Sequence, residues 1–433
     1  MKDFYLLFIA LSLATGSFSQ EYSLEQAIAE GLKNNMELKV LESEAGLADI
    51  DLSILRTEQL PRITFNGDIR ANLLLQKSVL PFQFGPNGVE DGETIIPFGR
   101  NFNNYFSLDV EQTIWNPGFK FKKIRYANQN LLKLAEIDIA RQSMANEIRD
   151  KYFDVVYARS RVDAQEELTN IRKEWFETIG NLANIGSRKE SELLKAEYDL
   201  KKSKFQLDKE NGSLQNAKNA LAKAMKVSNE VNIVPGSLDE FTMMDPEKSE
   251  LQSSKATLEK LKYEDLANDV LIQRQEAMPK ISAYGNYTAF QQNNTFNPFT
   301  RDTWFPYSFI GVRLSVPLYD GRLNQRKMER LRQEMVISDL KQSQYDDELK
   351  EDIAGLRDIY LLTKQELDQI EELLQLSQKI YNQDKIEYDK GRVSYESLLS
   401  SKLNLEQHYL DKLSAIERLY QAKSNIDQAA LER

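Results

Sequence analysis

The positions of the prolines constrain this chain more than any other feature. All eleven lie within positions 61–117, 235–246 and 279–317. Because proline breaks a helix interior, the two proline-free stretches, 118–234 and 318–433, are free to form helices far longer than those of an ordinary domain. A helix over residues 119–185 would be roughly 100 Å long at about 1.5 Å per residue. A matching helix is predicted over residues 322–390.

Apolar residues in the second proline-free stretch repeat with the spacing of a coiled coil. They step by alternating four and three residues, which is a heptad pattern. This first stripe comprises Leu349, Ile353, Leu356, Tyr360, Thr363, Leu367, Ile370, Leu374, Ser377 and Tyr381. A second, partial stripe comprises Ile359, Leu362, Leu373, Leu376 and Ile380. The second stripe predicts another neighbour on a different face of the same helix.

Two glycines mark where the long helices are expected to end. The segments GSRKESELLKAEYDLKK and GRVSYESLLSSKLNLEQ begin at Gly186 and Gly391 and resemble each other. Glycine suits the left-handed conformation just past a helix terminus. Each long helix is therefore predicted to turn back at its glycine into a second helix. The chain would form two helical hairpins, and these glycines would lie at their tips.

Strands are predicted between the helices, where apolar and polar residues alternate with period two. The first pair covers about 62–75 and 104–115, and the second covers about 280–291 and 308–319. Ten-residue strands with one apolar face are typical of a membrane β-barrel, although an edge hairpin on a soluble domain alternates in the same way. The predicted lipid-facing band comprises Phe65, Ile69, Leu73, Leu108, Val110, Val312, Leu314 and Val316.

The repeated order of elements gives the domain organisation. Repeat 1 covers residues 20–234 and repeat 2 covers 251–433, each reading helix, strand, long loop, strand and helical hairpin. Residues 235–250 are predicted to be a connector. Residues 1–19 read as a signal peptide, because a short apolar run follows Lys2 and small residues precede position 20. The protein is therefore expected to be exported.

The composition excludes several classes of function. A net charge of −11 argues against a nucleic-acid partner. The absence of cysteine removes thiolate metal sites and thiol nucleophiles. The one histidine, His408, lies in a helical run and is interpreted as a surface residue. No phosphate-binding loop, zinc-protease motif or nucleophile elbow occurs. We therefore expect no enzyme, no cofactor and no metal.

Four strands per chain impose a requirement on assembly. They cannot close a barrel, and an open sheet edge in lipid leaves backbone groups without hydrogen bonds, at several kcal/mol each. The chain must then associate with copies of itself. Two copies would supply eight strands, whose interior is just filled by side chains, and three would supply twelve, which leave a channel.

The whole mature sequence resembles the TolC family of outer-membrane efflux proteins. The opening YSLEQAIAEGLKNNMELK, the duplicated strand entries Leu60-Pro61 and Met278-Pro279, and the two glycine turns carry the resemblance. It implies a mixed α and β membrane protein: a homotrimer with a 12-stranded β-barrel, set in outer-membrane lipid and continued by an α-helical tunnel in the periplasm. It also implies an exit duct that works with a periplasmic adaptor and an inner-membrane transporter.

The resemblance also implies roles for residues at the hairpin tips. A closed gate would depend on a hydrogen bond between Glu192 and Tyr388, and the other gate candidates are Ser191, Arg392 and Glu396. Adaptor contacts fall on Gly186, Ser187, Gly391 and Arg392. The sequence departs from the family at two points. Val393 occupies the position of a gate arginine, and Ser397 and Ser400 replace the aspartates that bind cations at the entrance.

A different class of function also fits part of the pattern. The helical stripes alone are compatible with a secreted or periplasmic coiled-coil scaffold that has no pore. A detergent-resistant trimer with both helix and strand would favour the duct, and a wholly helical rod would favour the scaffold. The identity of the transported substrate is not readable from the sequence.

Overall fold

The computed structural model describes residues 21–85, 88–228, 231–234, 236, 238, 241 and 253–432. The predicted signal peptide and most of the predicted connector lie outside the described residues. In chain order, the elements are β1 (Glu21–Tyr22), α1 (Leu24–Asn34), α2 (Met36–Thr57), β2 (Arg62–Ala71), β3 (Gln76–Gly85), β4 (Gly88–Phe98), β5 (Phe102–Trp115), α3 (Phe119–Asn184), α4 (Glu190–Ala224), β6 (Asn232–Ile233), α5 (Ser254–Gln275), β7 (Lys280–Asn293), β8 (Trp304–Ser315), α6 (Leu323–Asp389) and α7 (Tyr395–Glu432).

The chain divides into two compact units. The first, which we call the helical unit, contains residues up to Glu44, 133–260 and 339 onward. The second, the sheet unit, contains residues 45–132 and 261–338. The long helices α3 and α6 have 66 and 67 residues and contribute to both units. Within the described part of the chain, no helix combines the length and the apolar character needed to cross a membrane.

The helical unit is built around an aromatic core. Phe153 on α3 stacks on Tyr420 of α7 with 3.7 Å between ring centroids, and Phe241 packs edge-on against both rings. The Tyr152 hydroxyl donates to the carbonyls of Tyr22 and Val234 at 3.1 and 3.3 Å. These bonds join the α3 helix to the short parallel pair of β1 and β6. The core therefore ties together segments that are far apart in the sequence.

The two apolar stripes of α6 have different environments in the single chain. In the first stripe, Leu349, Ile353 and Tyr360 are buried against α7 residues that include Leu419 and Ile426. In the second stripe, all five side chains are 49–66% exposed. The second stripe thus remains an uncovered apolar surface, although its spacing is that of a packed helix.

The sheet unit contains a four-stranded antiparallel sheet in the order β2-β5-β7-β8. Its register places the predicted apolar residues on one face. Phe65 is opposite Leu108, and Val110 is opposite Gly285, which is itself opposite Ile310. Strands β2 and β8 are the two edges, and each pairs on one side only.

Polar and charged residues line the other face of the sheet. Asp109 accepts hydrogen bonds from Asn66 and Asn286 at 2.8 and 2.6 Å, so it connects β2, β5 and β7. Arg313 on β8 lies 3.6 Å from Glu111 on β5. These two groups of contacts link polar and charged side chains across neighbouring strands, as expected for a wall that faces water.

Three segments differ from the sequence-based expectation. Strand β8 covers Trp304–Ser315 rather than about 308–319, because its partner β7 begins at Lys280, which is opposite Ser315. Strand β2 ends at Ala71 and β8 ends at Ser315. Leu73 and Val316, which were predicted to belong to the lipid-facing band, therefore lie outside the strands. The first connection, predicted to be a long loop, contains the antiparallel hairpin of β3 and β4. Its prolines suggested a loop, but a two-stranded hairpin has unpaired edges that tolerate proline.

The register predicts that an arginine costs different amounts of stability on the two faces of the sheet. Val110→Arg should lower the free energy of barrel unfolding by about 2–4 kcal/mol, because the charge would face lipid. Thr64→Arg, on the polar face, should cost much less. Urea unfolding of the protein in lipid vesicles, followed by tryptophan fluorescence, measures both. Equal tolerance of the two variants would contradict the assignment of the faces.

Candidate functional site: the hairpin tips

Both hairpin tips use the same helix-terminating turn. Gly186 and Gly391 have φ values of +74° and +71°. Gly186 N–H donates to Ala183, and Ser187 N–H donates to Leu182. Gly391 and Arg392 repeat these two bonds at the end of α6. This is the Schellman pattern, which needs a left-handed residue at the glycine position. A Cβ at either glycine would have open space around it, so the backbone conformation alone requires glycine.

An ion pair joins the two hairpins beside these turns. Arg188, which follows the first turn, lies 2.7 Å from a Glu396 carboxylate oxygen on the first turn of α7. The same guanidinium nitrogen lies 3.3 Å from Glu192, one helical turn along α4. The Arg188 and Glu396 side chains are about one-third and one-half exposed. Arg188 therefore bridges two carboxylates, one from each hairpin.

The predicted hydrogen bond between Glu192 and Tyr388 is not among the contacts of the described residues. Glu192 pairs with Arg188 instead, because a guanidinium within reach binds a carboxylate more strongly than a phenol does. Tyr388 contacts Tyr395, with ring centroids 5.8 Å apart. Ser191 is exposed at the start of α4. Within one chain, Glu192 and Glu396 both contact Arg188, and the hydrogen bond between Glu192 and Tyr388 stays a prediction.

Arg392 is held on its own hairpin. Its guanidinium lies 3.2 Å from Glu387, which also pairs with Lys390 at 3.1 Å. Hydrogen bonds from Lys390 and Arg392 lower the pKa of the Glu387 carboxyl. The Arg392 side chain remains 68% exposed. It can therefore meet a partner without first breaking a buried contact.

Two contacts between the hairpins were not anticipated from the sequence. Trp175 of α3 stacks on Tyr395 of α7 with 5.7 Å between ring centroids, and Lys402 lies 2.9 Å from Glu167. The stack of Trp175 on Tyr395 could have been suspected from the sequence, because Trp175 is a single tryptophan in a strongly charged helix. The second could not have been identified, because charged pairs are abundant in both helices.

Among the residues that the structure describes, no cluster of three or more His, Asp or Glu side chains is placed to hold a metal ion. Ser397 and Ser400 are exposed on the first turns of α7. His408 lies 3.5 Å from Asp411, one turn further along the same helix, as expected for a surface residue.

A separate acidic pair lies within the sheet unit. Asp265 and Asp269 are one turn apart on α5, and Arg125 of α3 lies 3.6 Å from Asp269. One oxygen of each carboxylate is buried without a hydrogen-bond partner among the described residues. Burial, with the nearby Asp269 charge, raises the pKa of Asp265 from 3.8 to about 6, against the opposing effects of Arg125 and Gln129.

Comparison with known proteins finds one matching family model and several solved structures with a similar fold. Residues 27–225 match the model of the outer membrane efflux protein family. The fold is similar to CusC, with a TM-score of 0.70 and 13% identity over 95% of this chain and 93% of that chain. It is also similar to the Campylobacter jejuni outer membrane channel CmeC (TM-score 0.63, 15% identity, 94% and 85% covered). The fold is also similar to the open-state outer membrane channel MtrE of Neisseria gonorrhoeae, with a TM-score of 0.68 and 14% identity over 94% of this chain and 88% of that chain. No curated protein sequence matches significantly.

The solved structures extend the comparison over almost the whole chain. At these low identities they establish a common fold rather than a common substrate or partner. The mixed α and β architecture predicted from the sequence is thereby confirmed.

The acidic pair predicts that stability depends on pH through Asp265. Because its folded pKa is raised, the carboxyl lowers stability fully above about pH 6, and this cost disappears as the pH falls towards 4. Asp265→Asn should therefore raise the free energy of unfolding by about 1–2 kcal/mol at pH 7.5, a value reduced by partial exposure. At pH 4 the gain should be small. Thermal unfolding at the two pH values tests this, and the exposed neighbour Glu264→Gln is the control. A gain that does not change with pH would contradict the assignment.

Proposed function

Because residues 27–225 match the outer membrane efflux protein family model and the fold is similar to CusC, we propose that the chain forms the outer-membrane exit duct of a tripartite efflux or secretion pump. Three copies build a gated channel that passes substrates from the periplasm to the outside. The family is one of transport channels rather than enzymes. The observation that carries the proposal is the open four-stranded sheet with one apolar and one charged face.

Two independent surfaces of the single chain support the trimer. The edge strands β2 and β8 carry unpaired backbone groups, which must find partners in a membrane. In the helical unit, the second stripe of α6 exposes five large apolar side chains at heptad spacing. Further copies of the same chain would pair with the edge strands and cover the exposed apolar side chains. Three copies supply twelve strands, enough for a channel, whereas eight strands are filled by their own side chains.

The charged face of the sheet suits the lumen of this duct. Asp109, Glu111 and Arg313 carry both signs of charge and are linked across strands. A mixed, hydrated wall contacts many kinds of solute weakly. Selection of the substrate is then expected to lie with the inner-membrane transporter, and we propose no particular substrate.

The gate is proposed to depend on the bridge between the hairpins. Arg188 connects Glu192 and Glu396, so separating the hairpins requires breaking its contact with Glu396. An ion pair with this exposure is worth at most about 1 kcal/mol, and three copies supply up to about 3 kcal/mol. That is enough to change the ratio of closed to open channels by roughly a hundredfold. Tyr388 stays a gate candidate, since in the trimer it could meet a neighbouring chain.

Removal of the bridge should open the channel. Arg188→Gln or Glu396→Gln should raise the open fraction by roughly ten- to a hundredfold in planar bilayers. Lys201→Gln, which removes an ion pair inside one helix at 2.7 Å, should leave it unchanged. Trimer integrity is checked by native electrophoresis. A closed Arg188→Gln channel, together with an open Tyr388→Phe and Glu192→Ala double variant, would instead favour the pairing predicted from the sequence.

The tips are proposed to meet a periplasmic adaptor, which in turn contacts the inner-membrane transporter. Ser187 and the Arg392 side chain are exposed beside the two glycine turns. The two turns have the same backbone geometry, so each copy of the chain offers similar surfaces twice. A trimer would then present six similar docking points.

Photocrosslinkers at Ser187 and Arg392 test this contact in cells. Both positions should trap another periplasmic protein when the pump is active. The control is Gln215, which is exposed on α4 about 40 Å from the tip by helix rise. It should not trap the same protein. Crosslinking at the control position but not at the tips would rule out the proposed docking site.

A further inference from the structure

Two buried amide side chains lie opposite each other on the apolar face of the sheet. Asn104 on β5 and Gln291 on β7 are directly opposite each other, on the same face as Phe106 and Leu108. They lie at the end of the strands away from the β7 entry at Lys280. Amide groups on a lipid-facing surface are costly unless their hydrogen bonds are satisfied within the protein. Both side chains are nevertheless almost completely buried, with exposures of 2% and 1%.

The segment between β7 and β8 covers these amides. We call residues 294–303 the covering loop. The Asn104 side chain donates to Gln291 at 2.7 Å. Gln291 in turn donates to the Asn297 carbonyl at 2.9 Å and to the Thr303 hydroxyl at 2.8 Å. The covering loop therefore folds back over the apolar face and is fixed there by hydrogen bonds.

Aromatic residues extend the apolar face onto the covering loop. Phe296 packs against Phe102 of β5, with 5.6 Å between ring centroids, and is still 57% exposed. Phe299 is 91% exposed. The Trp304 indole donates to the Pro298 carbonyl at 3.0 Å and stacks on Phe106. Aromatic rings at the end of an apolar band are typical of a membrane interface.

We propose that the covering loop is a membrane anchor, and that Phe296 and Phe299 enter the outer leaflet where acyl chains meet headgroups. The inference rests on the proposed function, because the apolar face of the sheet must first face lipid. The loop continues that face, which identifies the lipid surface as its partner. Gln291 and Asn104 are then positioning residues, since they hold the loop against the sheet so that Phe299 points outward into the bilayer.

Single-cysteine labelling tests the anchor without background, because the chain has no native cysteine. The environment-sensitive fluorophore NBD is attached to Phe299→Cys in the full-length trimer, reconstituted in phosphatidylcholine vesicles. Nitroxide lipids labelled near the headgroup or deep in the acyl chain report the depth. We expect quenching about twofold stronger by the shallow nitroxide than by the deep one. Adding Gln291→Ala should reduce this quenching and increase quenching by aqueous iodide.

Two control positions separate the anchor from the barrel. Val312→Cys on the apolar face of β8 should be quenched by the deep nitroxide, and Tyr307→Cys on the opposite face should be quenched only by iodide. If nitroxide lipids quench the label at Val312→Cys but not the label at Phe299→Cys, the membrane-anchor proposal is wrong, while the assignment of the sheet to a membrane β-barrel is retained. If Phe299→Cys is shielded from both quenchers, a second protein copy covers it, which also overturns the anchor. If Val312→Cys is not quenched by lipid, the proposed function fails.

Discussion

The unpaired backbone of two edge strands is the constraint on which the rest of this structure depends. Strands β2 and β8 each pair on one side only, and one of the faces they share is apolar. Inside a bilayer no water can satisfy the free N–H and C=O groups. The chain therefore cannot function alone in a membrane. Self-association is required by hydrogen bonding before any side-chain contact between copies is considered.

The internal duplication of the chain helps to meet that requirement. The two repeats supply two strands each, and the register from β5 to β7 joins them through one antiparallel ladder. Each repeat also supplies a helical hairpin, and both hairpins end in the same glycine turn. The helices of one chain still leave the second stripe of α6 uncovered. The same symmetry that closes the sheet between copies can then also cover the helices.

The sequence predicted the regular parts of this fold because their signals are local. Proline positions delimited α3 and α6, and period-two alternation identified the faces of the four main strands. The hairpin of β3 and β4 was missed because three prolines in its segment suggested a loop. The bridge from Arg188 to Glu396 was also missed, because it depends on how two hairpins align. Helical periodicity specifies the faces of each helix, but not the relative height of two helices joined through 200 residues.

The strengths of the contacts indicate which parts of the helical unit move together. Within the first hairpin, Arg161 makes two hydrogen bonds to Glu210 at 2.8 and 3.3 Å, and the Glu210 side chain is only 11% exposed. Between the hairpins, the carboxylates that pair with Arg188 and Lys402 are far more exposed, at 47% for Glu396 and 48% for Glu167. Solvent weakens exposed pairs, whereas breaking a buried one leaves an uncompensated charge. Near the tips the hairpins should therefore separate from each other before either hairpin splits into its two helices, whereas the buried stack of Phe153 on Tyr420 holds the two hairpins together deeper in the helical unit.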